Sequence, residues 1–151
     1  MGQPAKDDHA PFGILVISHG ELAVELIAAM EHLMGPQAHI AALSIRADEP
    51  LNTTRERLRA LAARTATKGG LVLLTDLFGG TPANLAHELL KDGLASHVIT
   101  GASLPMLVRL VEARAGMGAP EAVQEAAHAG RHFIRVSEAP ASLTALKRGT
   151  G

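Results

Sequence analysis

His19 is the residue best suited to chemistry, because it directly follows the aliphatic run of residues 14–17 and a serine. Asp76 follows a second, largely aliphatic run, residues 71–75. A carboxylate can accept the proton of one imidazole nitrogen and so fix the tautomer in which the other nitrogen presents its lone pair. If the fold brings the two side chains together, the pattern predicts a nucleophilic histidine that is oriented by an aspartate.

The turn after Asp76 has the composition of an anion-binding site. Gly79 and Gly80 offer backbone N–H groups without a Cβ in the way, and Thr81 adds a hydroxyl. Thr81 is also a favourable helix N-cap and Pro82 a favourable first helical residue, so the positive dipole end of a helix is predicted here. These three residues, Gly79 to Thr81, are suited to holding an incoming phosphoryl group.

Two serines lie at other predicted strand-to-helix turns. Ser18 and Glu21 have the S-x-x-E spacing of a capping box, which predicts a helix that starts almost directly after His19. Ser103 lies in a third turn of this kind, at residues 101–105. We count both serines among the candidate phosphate-binding residues.

Strand and helix patterns alternate along most of the chain. Strands are predicted at residues 14–17, 40–45, 71–75, 96–100 and 132–136, and Gly130 is predicted to end the last helix before the fifth strand. This alternation is typical of an α/β fold with a doubly wound, mainly parallel sheet of order 2-1-3-4 and helices on both faces. Because the connections after strands one and three leave on opposite faces, His19 and Asp76 are predicted to meet in the crevice between those strands.

The composition narrows the class of protein. We place one domain at residues 12–137, between a flexible leader at residues 1–11 and a C-terminal tail at residues 138–151. The net charge of −1 and the scattered basic residues argue against nucleic acid as a partner. The chain lacks cysteine, and no apolar run approaches the roughly 20 residues of a membrane span, so a cytoplasmic location without membrane insertion is expected.

Several enzyme classes lack their motifs in this chain. Neither the G-x-x-x-x-G-K-[ST] nor the G-x-G-x-x-G pattern of nucleotide sites occurs, nor the G-x-S-x-G pattern of hydrolases. The other seven histidines form no tight metal-ligand spacing. A lone histidine after a strand is more often structural than catalytic, and a Gly-Gly-Thr-Pro turn alone is more often simple turn chemistry. The functional reading therefore depends on the combination of the two.

Together, three motifs resemble the mannose-type IIA component of the bacterial phosphoenolpyruvate-dependent sugar phosphotransferase system. They are the strand-S/T-H-G segment at His19, the D-x-F/W-G-G-S/T-P segment at residues 76–82 and the G-x-x-x-P-M-L segment at residues 101–107. The resemblance extends over residues 12–136. It implies transient phosphorylation of His19, with Asp76 orienting the histidine and residues 79–81 receiving the phosphate.

The resemblance also implies partners and an assembly. Members of this family take the phosphoryl group from the carrier HPr and give it to a histidine of a IIB domain. No IIB domain follows in this chain, so a separate IIB protein is the expected acceptor. No cofactor or metal is expected, because neither a nucleotide nor a hydrolytic water takes part. The family's last strand is antiparallel and exchanged within a dimer, and the sheet edges and outlying fifth strand also favour a homodimer.

The sequence leaves two alternatives open. The chain could be a regulatory module whose His19 phosphorylation state controls a partner protein, since no IIB domain follows. It could also be the related phosphotransfer subunit of a dihydroxyacetone kinase, although the intact Gly-Gly-Thr-Pro turn favours the IIA component. The sugar cannot be read from these residues, because specificity would belong to the membrane partners.

Overall fold

The computed structural model of the chain describes residues 11–141 and residue 149. The predicted leader and tail therefore lie largely outside the described residues. Pro11 is described, and its carbonyl oxygen accepts a hydrogen bond of 2.6 Å from the Thr67 hydroxyl. This bond attaches the start of the described chain to the turn that precedes the third strand.

Strands and helices alternate along the described residues. Their order is β1 (Gly13–His19), α1 (Leu22–Met34), β2 (Ile40–Ile45), α2 (Leu51–Thr65), β3 (Leu71–Thr75), α3 (Thr81–Lys91), β4 (His97–Thr100), α4 (Leu104–Ala113) and α5 (Ala119–His132). The four strands form one parallel sheet in the order β2-β1-β3-β4. The prediction of a doubly wound sheet of order 2-1-3-4 is confirmed, and β2 lies at one edge of the sheet.

The continuous aliphatic runs of the two central strands supply both faces of the sheet. Alternate residues of β1 and β3 point to opposite sides, so each strand contributes to two cores. One core contains Ile14, Val16, Val72 and Leu74 with residues of α1, α4 and α5. The other contains Leu15, Ile17, Leu71 and Leu73 with residues of α2 and α3. Burial on both faces explains why these strands lack alternating polar residues.

Three arginines of α2 form ion pairs with neighbouring elements. Arg55 contacts Glu88 of α3 with a shortest N–O distance of 2.8 Å, and Arg59 pairs with Asp92 just after α3. Arg57 contacts Glu49 in the loop before α2. These pairs are exposed to solvent, which screens the charges, so each contributes little to stability.

The C-terminal part of the fold differs from the prediction. Helix α5 continues through Gly130 to His132, so the prediction that Gly130 ends this helix is wrong. A Cβ at Gly130 would lie 2.9 Å from Met106 Cε. The glycine therefore permits close packing of α5 on α4 rather than stopping the helix.

The predicted fifth strand is not formed within the described chain. His132 belongs to α5, and residues 133–136 pair with none of the four strands. The side chains of Phe133, Ile134 and Val136 are 59%, 75% and 85% exposed. A strand exchanged between subunits would pair only in the dimer, so the exchange stays a prediction.

None of the helices in the described part of the chain has the length and apolarity to cross a bilayer.

Candidate active site

His19 and Asp76 meet at the carboxyl edge of the sheet. Strands β1 and β3 are neighbours, with Ile17 beside Thr75, so the residues that follow them emerge together. Asp76 Oδ2 accepts a hydrogen bond of 2.9 Å from the His19 backbone N–H and lies 2.8 Å from His19 Nδ1. The predicted meeting of two residues separated by 57 positions is present in the structure.

The contact assigns a role to each ring nitrogen of His19. Burial raises the pKa of Asp76, but hydrogen bonds from the backbone and ring of His19 and from the Leu77 N–H outweigh burial and leave the pKa below its ordinary value. The carboxylate is therefore ionised at neutral pH and accepts the Nδ1 proton, which leaves the lone pair on Nε2. Asp76 has a side chain only 10% exposed, whereas that of His19 is 51% exposed. The His19 ring is therefore accessible from solvent, whereas the carboxylate that contacts it is largely buried.

The glycine turn lies directly against the imidazole. A Cβ at Gly80 would be 3.0 Å from His19 Cε1 and 3.3 Å from Nε2, so the missing side chain leaves room for the ring. Gly79 has φ +82°, a conformation that favours glycine. Gly80 rather than Thr81 is the N-cap of α3, and Thr81 is its first residue, so the predicted capping role of Thr81 is wrong. No side chain among the described residues caps this helix, which leaves first-turn N–H groups for an anion.

Ser18 shapes the loop that follows His19. Its fully buried hydroxyl donates to the Gly20 carbonyl at 3.1 Å and accepts from the Ala23 N–H at 2.7 Å. Helix α1 has Glu21 as its N-cap, without a side-chain capping bond, so the predicted capping box is not formed. Because both hydrogen bonds of the hydroxyl are made to residues 20 and 23, Ser18 stabilises the passage from β1 into α1. Phosphate binding by Ser18 stays a prediction.

Ser103 lies one strand away from the pair. It is the N-cap of α4, and its hydroxyl accepts a hydrogen bond of 3.4 Å from the Met106 N–H. The strand before it, β4, borders β3 on the side opposite β1. The hydrogen bond to Met106 gives Ser103 a helix-capping role, and phosphate binding by Ser103 stays a prediction.

His19 opens into a cleft of about 650 Å³. The opposite wall is the loop between β2 and α2, and the lining comprises His19, Gly20, Ile45, Arg46, Ala47, Asp48, Glu49, Leu51, Thr54 and Thr81. The sequence motifs did not indicate that the loop between β2 and α2 forms this wall. The predicted strand order could have indicated it, because a β2 that lies beside β1 must end next to His19.

Two apolar side chains beside the pair are exposed. Leu77 and Phe78 follow Asp76 directly and are 60% and 86% exposed. Isolated exposed apolar residues are common, but these two lie in the turn that contacts His19. A partner that reaches His19 Nε2 would approach the same surface.

The other described histidines have contacts of a structural kind. His128 and His132 are one turn apart on α5, with stacked rings whose centroids are 5.4 Å apart. His87 Nδ1 lies 2.7 Å from the Ala83 carbonyl oxygen within α3. Within residues 11–141, no group of three or more His, Asp or Glu side chains is arranged to hold a metal ion.

The fold is a doubly wound α/β domain in which an exposed histidine contacts an aspartate at the switch point of the sheet. The family model described as "PTS system fructose IIA component" matches residues 13–127. The chain belongs to this family of sugar phosphotransferase system components, as the three sequence motifs indicated.

Curated relatives carry related names. The chain is 33% identical over 101 residues to the PTS system mannose-specific EIIAB component of Escherichia coli K12, covering 67% of this chain and 31% of that protein. It is 24% identical over 125 residues to the PTS system sorbose-specific EIIA component of Lacticaseibacillus casei, covering 83% of this chain and 85% of that protein. The chain therefore spans about a third of the length of its mannose-specific relative.

Solved structures share the fold. The phosphotransferase system component EIIA of Streptococcus agalactiae matches with a TM-score of 0.74 and 23% identity, over 82% of this chain and 95% of that one. The mannose/sorbose specific IIA subunit of Enterococcus faecalis matches with a TM-score of 0.73 and 25% identity, over 87% and 98% of the two chains.

Proposed function

We propose that this protein is a phosphoryl carrier in which His19 accepts a phosphoryl group from phospho-HPr and passes it to a histidine of a separate IIB protein during sugar uptake. The observation that carries the proposal is the 2.8 Å contact between His19 Nδ1 and Asp76 Oδ2. It leaves Nε2 of a half-exposed imidazole as the nucleophile. Both proposed partners act in the cytoplasm, which is therefore the proposed location.

The transfer step needs one nucleophile and one leaving imidazole. The Nε2 lone pair of His19 attacks the phosphorus of the donor phosphohistidine, a new N–P bond forms, and the donor's N–P bond breaks with its electron pair returning to the donor ring. The Nδ1 proton stays in its hydrogen bond to Asp76. The Asp76 carboxylate offsets the positive charge that phosphorylation places on the His19 ring. Transfer to the IIB histidine is the reverse of the same step.

The turn before α3 is the proposed binding site of the phosphoryl group. Gly80 contacts the Nε2 side of the imidazole, and Thr81 begins α3 and lines the same cleft. Backbone N–H groups at a helix N-terminus favour an anion electrostatically and by hydrogen bonding. Gly79, with its positive φ, gives the turn the shape that brings these groups beside His19.

The coverage of the relatives indicates which component this domain corresponds to. The match covers 31% of a relative named an EIIAB component but 85% of one named an EIIA component. The described domain accordingly corresponds to the IIA part, and its phosphoryl group would pass to a IIB protein. The sugar remains unassigned, since the two relatives' names give different sugars.

A reconstituted phosphorylation assay tests the proposal. The protein is incubated with labelled phosphoenolpyruvate, enzyme I and HPr, and acid-labile, base-stable phosphate on the chain is measured. We expect labelling of the wild type and its loss in His19→Ala. His32→Ala is the matched control, since His32 is also exposed but lies near the end of α1.

The second half of the assay measures the transfer of the phosphoryl group from this chain to a IIB protein. Purified phosphorylated protein is mixed with a IIB protein of the mannose family, and loss of label from this chain with gain on IIB is expected. Undiminished labelling of His19→Ala would refute the site. Stable label that no IIB protein removes would instead favour the regulatory role.

A further inference from the structure

Arg46 lies at the mouth of the His19 cleft because of the sheet register. His19 is paired with Ile45 across β1 and β2, and the Gly20 N–H donates to the Ile45 carbonyl at 3.0 Å. Arg46 is the next residue and starts the loop at the same edge of the sheet. His19, Arg46 and Thr81 line one cleft of about 650 Å³. Arg46 therefore belongs to the wall of the cleft that contains His19, and it also lines a second cleft beside Glu21 and Val24.

Arg46 forms no ion pair within the described residues, although its charge helps to lower the pKa of Glu49 in the same loop. Arg55, Arg57, Arg59 and Arg109 each contact a carboxylate, but no described carboxylate oxygen lies within 4.0 Å of the Arg46 guanidinium nitrogens. The acidic residue Glu49 of the same loop is held by Arg57 Nη1, at 2.7 and 2.8 Å from its two oxygens. Arg46 is exposed and so retains its donors for a ligand.

The phosphorylated site needs a cation. A phosphoryl group brings a charge of roughly −2 to Nε2, while the ionised Asp76 already lies at Nδ1. Among the described residues that line the cleft, Arg46 is the one lysine or arginine. Resting on the proposed function, we propose that Arg46 is a catalytic residue that binds the oxygens of the phosphoryl group carried by His19. Its planar guanidinium can donate two parallel hydrogen bonds to such a group.

This contact assists transfer without forming or breaking a bond of its own. As the N–P bond to the donor histidine lengthens and the bond to His19 Nε2 forms, the negative charge stays on the three peripheral oxygens. The guanidinium stabilises that charge from the β2 side of the cleft, opposite the N–H groups of α3. Arg46 keeps its proton throughout, so the reaction needs no further reactant.

The test compares Arg46→Ala and Arg46→Lys with Arg64→Ala. Arg64 is an equally exposed arginine in the last turn of α2, at the other end of the sheet, so its loss changes the net charge equally. Phosphorylation of His19 is measured with phospho-HPr and with the small donor phosphoramidate. We expect about a 10-fold loss of rate with both donors for Arg46→Ala, a smaller loss for Arg46→Lys and none for Arg64→Ala.

Phosphorus NMR supplies a readout that a purely structural role would not change. Removal of a neighbouring cation disfavours the dianion, so the pKa of the phosphoryl group should rise by about half a unit or more in Arg46→Ala. Unchanged rates and an unchanged phosphoryl pKa would overturn the role of Arg46 and leave the phosphocarrier function standing. A slower reaction with phospho-HPr alone, with a normal pKa, would overturn it in favour of a contact to the carrier protein. Failure of both donors to phosphorylate the wild type would refute both proposals.

Discussion

At the scale of single residues, Asp76 connects the backbone and the ring of His19. One carboxylate oxygen, Oδ2, contacts both the His19 backbone nitrogen and Nδ1, while Oδ1 accepts from the Leu77 N–H. The aspartate therefore holds the histidine at two points and is itself held by its own turn. This arrangement explains why a ring that is 51% exposed has a defined orientation.

Asp76→Asn is expected to slow phosphorylation of His19 by about 100-fold, because a neutral amide cannot offset the charge that forms on the ring. The rate is measured with phospho-HPr in excess, and circular dichroism checks that the variant is folded. Asp92→Asn, the same substitution at an exposed aspartate just after α3, is the control and should retain most of the activity. A rate for Asp76→Asn within a factor of two of the wild type would contradict the orienting role.

The pKa of Asp76 also predicts how stability depends on pH. Because this pKa is lower in the folded state, the ionised carboxylate stabilises the fold above the ordinary aspartate pKa of about 3.9, and the contribution disappears as pH falls through the folded value. Urea unfolding of wild type and Asp76→Asn between pH 7 and pH 2 measures the difference. We expect about 1 kcal/mol in favour of the wild type at neutral pH and convergence in acid. A difference in unfolding free energy between the two proteins that grows towards low pH would contradict this prediction.

Alanine substitutions at Gly79 and at Gly80 are expected to affect different properties, stability at the first and phosphorylation at the second. At Gly80 the backbone angles suit any residue, but the new Cβ would crowd the His19 ring at 3.0 Å, so phosphorylation should fall with little loss of stability. At Gly79 the Cβ would meet open space, but φ is +82°, so the cost should be about 1 kcal/mol of stability. Transfer rates and urea unfolding separate the two effects. Equal behaviour of the two variants would contradict this assignment.

At the scale of secondary structure elements, Arg114 joins three segments at the amino edge of the sheet. It lies just after α4, is 7% exposed, and donates to the carbonyl oxygens of Phe12, Ala38 and His39 and to Gln37 Oε1. The segments before β1 and β2 are thereby tied to α4. Burial lowers the pKa of the guanidinium, while the acceptors around it compensate for lost water.

Arg114→Met should lower the free energy of unfolding by about 2 kcal/mol, because buried carbonyl groups lose their donor. The catalytic edge lies at the opposite end of the strands, so the rate of His19 phosphorylation should stay within a factor of two at temperatures where the variant is folded. Urea unfolding and the phosphorylation assay measure the two quantities, with the exposed Arg64→Met as control. A stability equal to that of the wild type would show that Arg114 is dispensable.

At the scale of the whole molecule, an apolar surface beside α5 remains uncovered in the single chain. A groove of about 490 Å³ is lined largely by apolar residues, among them Leu33, Leu104, Val108 and Phe133. The segment that follows α5 adds the exposed Ile134 and Val136. Surfaces of this kind are commonly covered in an oligomer.

We predict a homodimer in which residues 133–136 of each chain contribute to the interface. Light scattering at micromolar concentration should give twice the mass of the chain, 15.7 kDa. The double variant Ile134→Asp and Val136→Asp should shift the protein towards the monomer, whereas Val24→Asp, an exposed substitution on α1, should not. A monomeric wild type under these conditions would count against strand exchange.

The sequence by itself was sufficient for most of the architecture and for the central pair. The aliphatic runs of β1 and β3 are readable because a parallel strand buried on both faces has no polar alternation. The glycine-rich turns mark where each strand passes into a helix, and the right-handed connection rule then orders the sheet. His19, Asp76 and the Gly79–Thr81 turn follow from these local signals.

Only the tertiary structure decided which residues surround His19. Arg46 lines the same cleft as His19 because β2 lies beside β1 in a particular register, and the Ser18 hydroxyl reaches Ala23 rather than forming the capping box that its spacing suggests. Gly130 stays helical because α4 packs closely against it. The residue spacing within one segment indicates its periodicity and its turn type. These contacts join different segments, and the packing of the core determines the distances between segments.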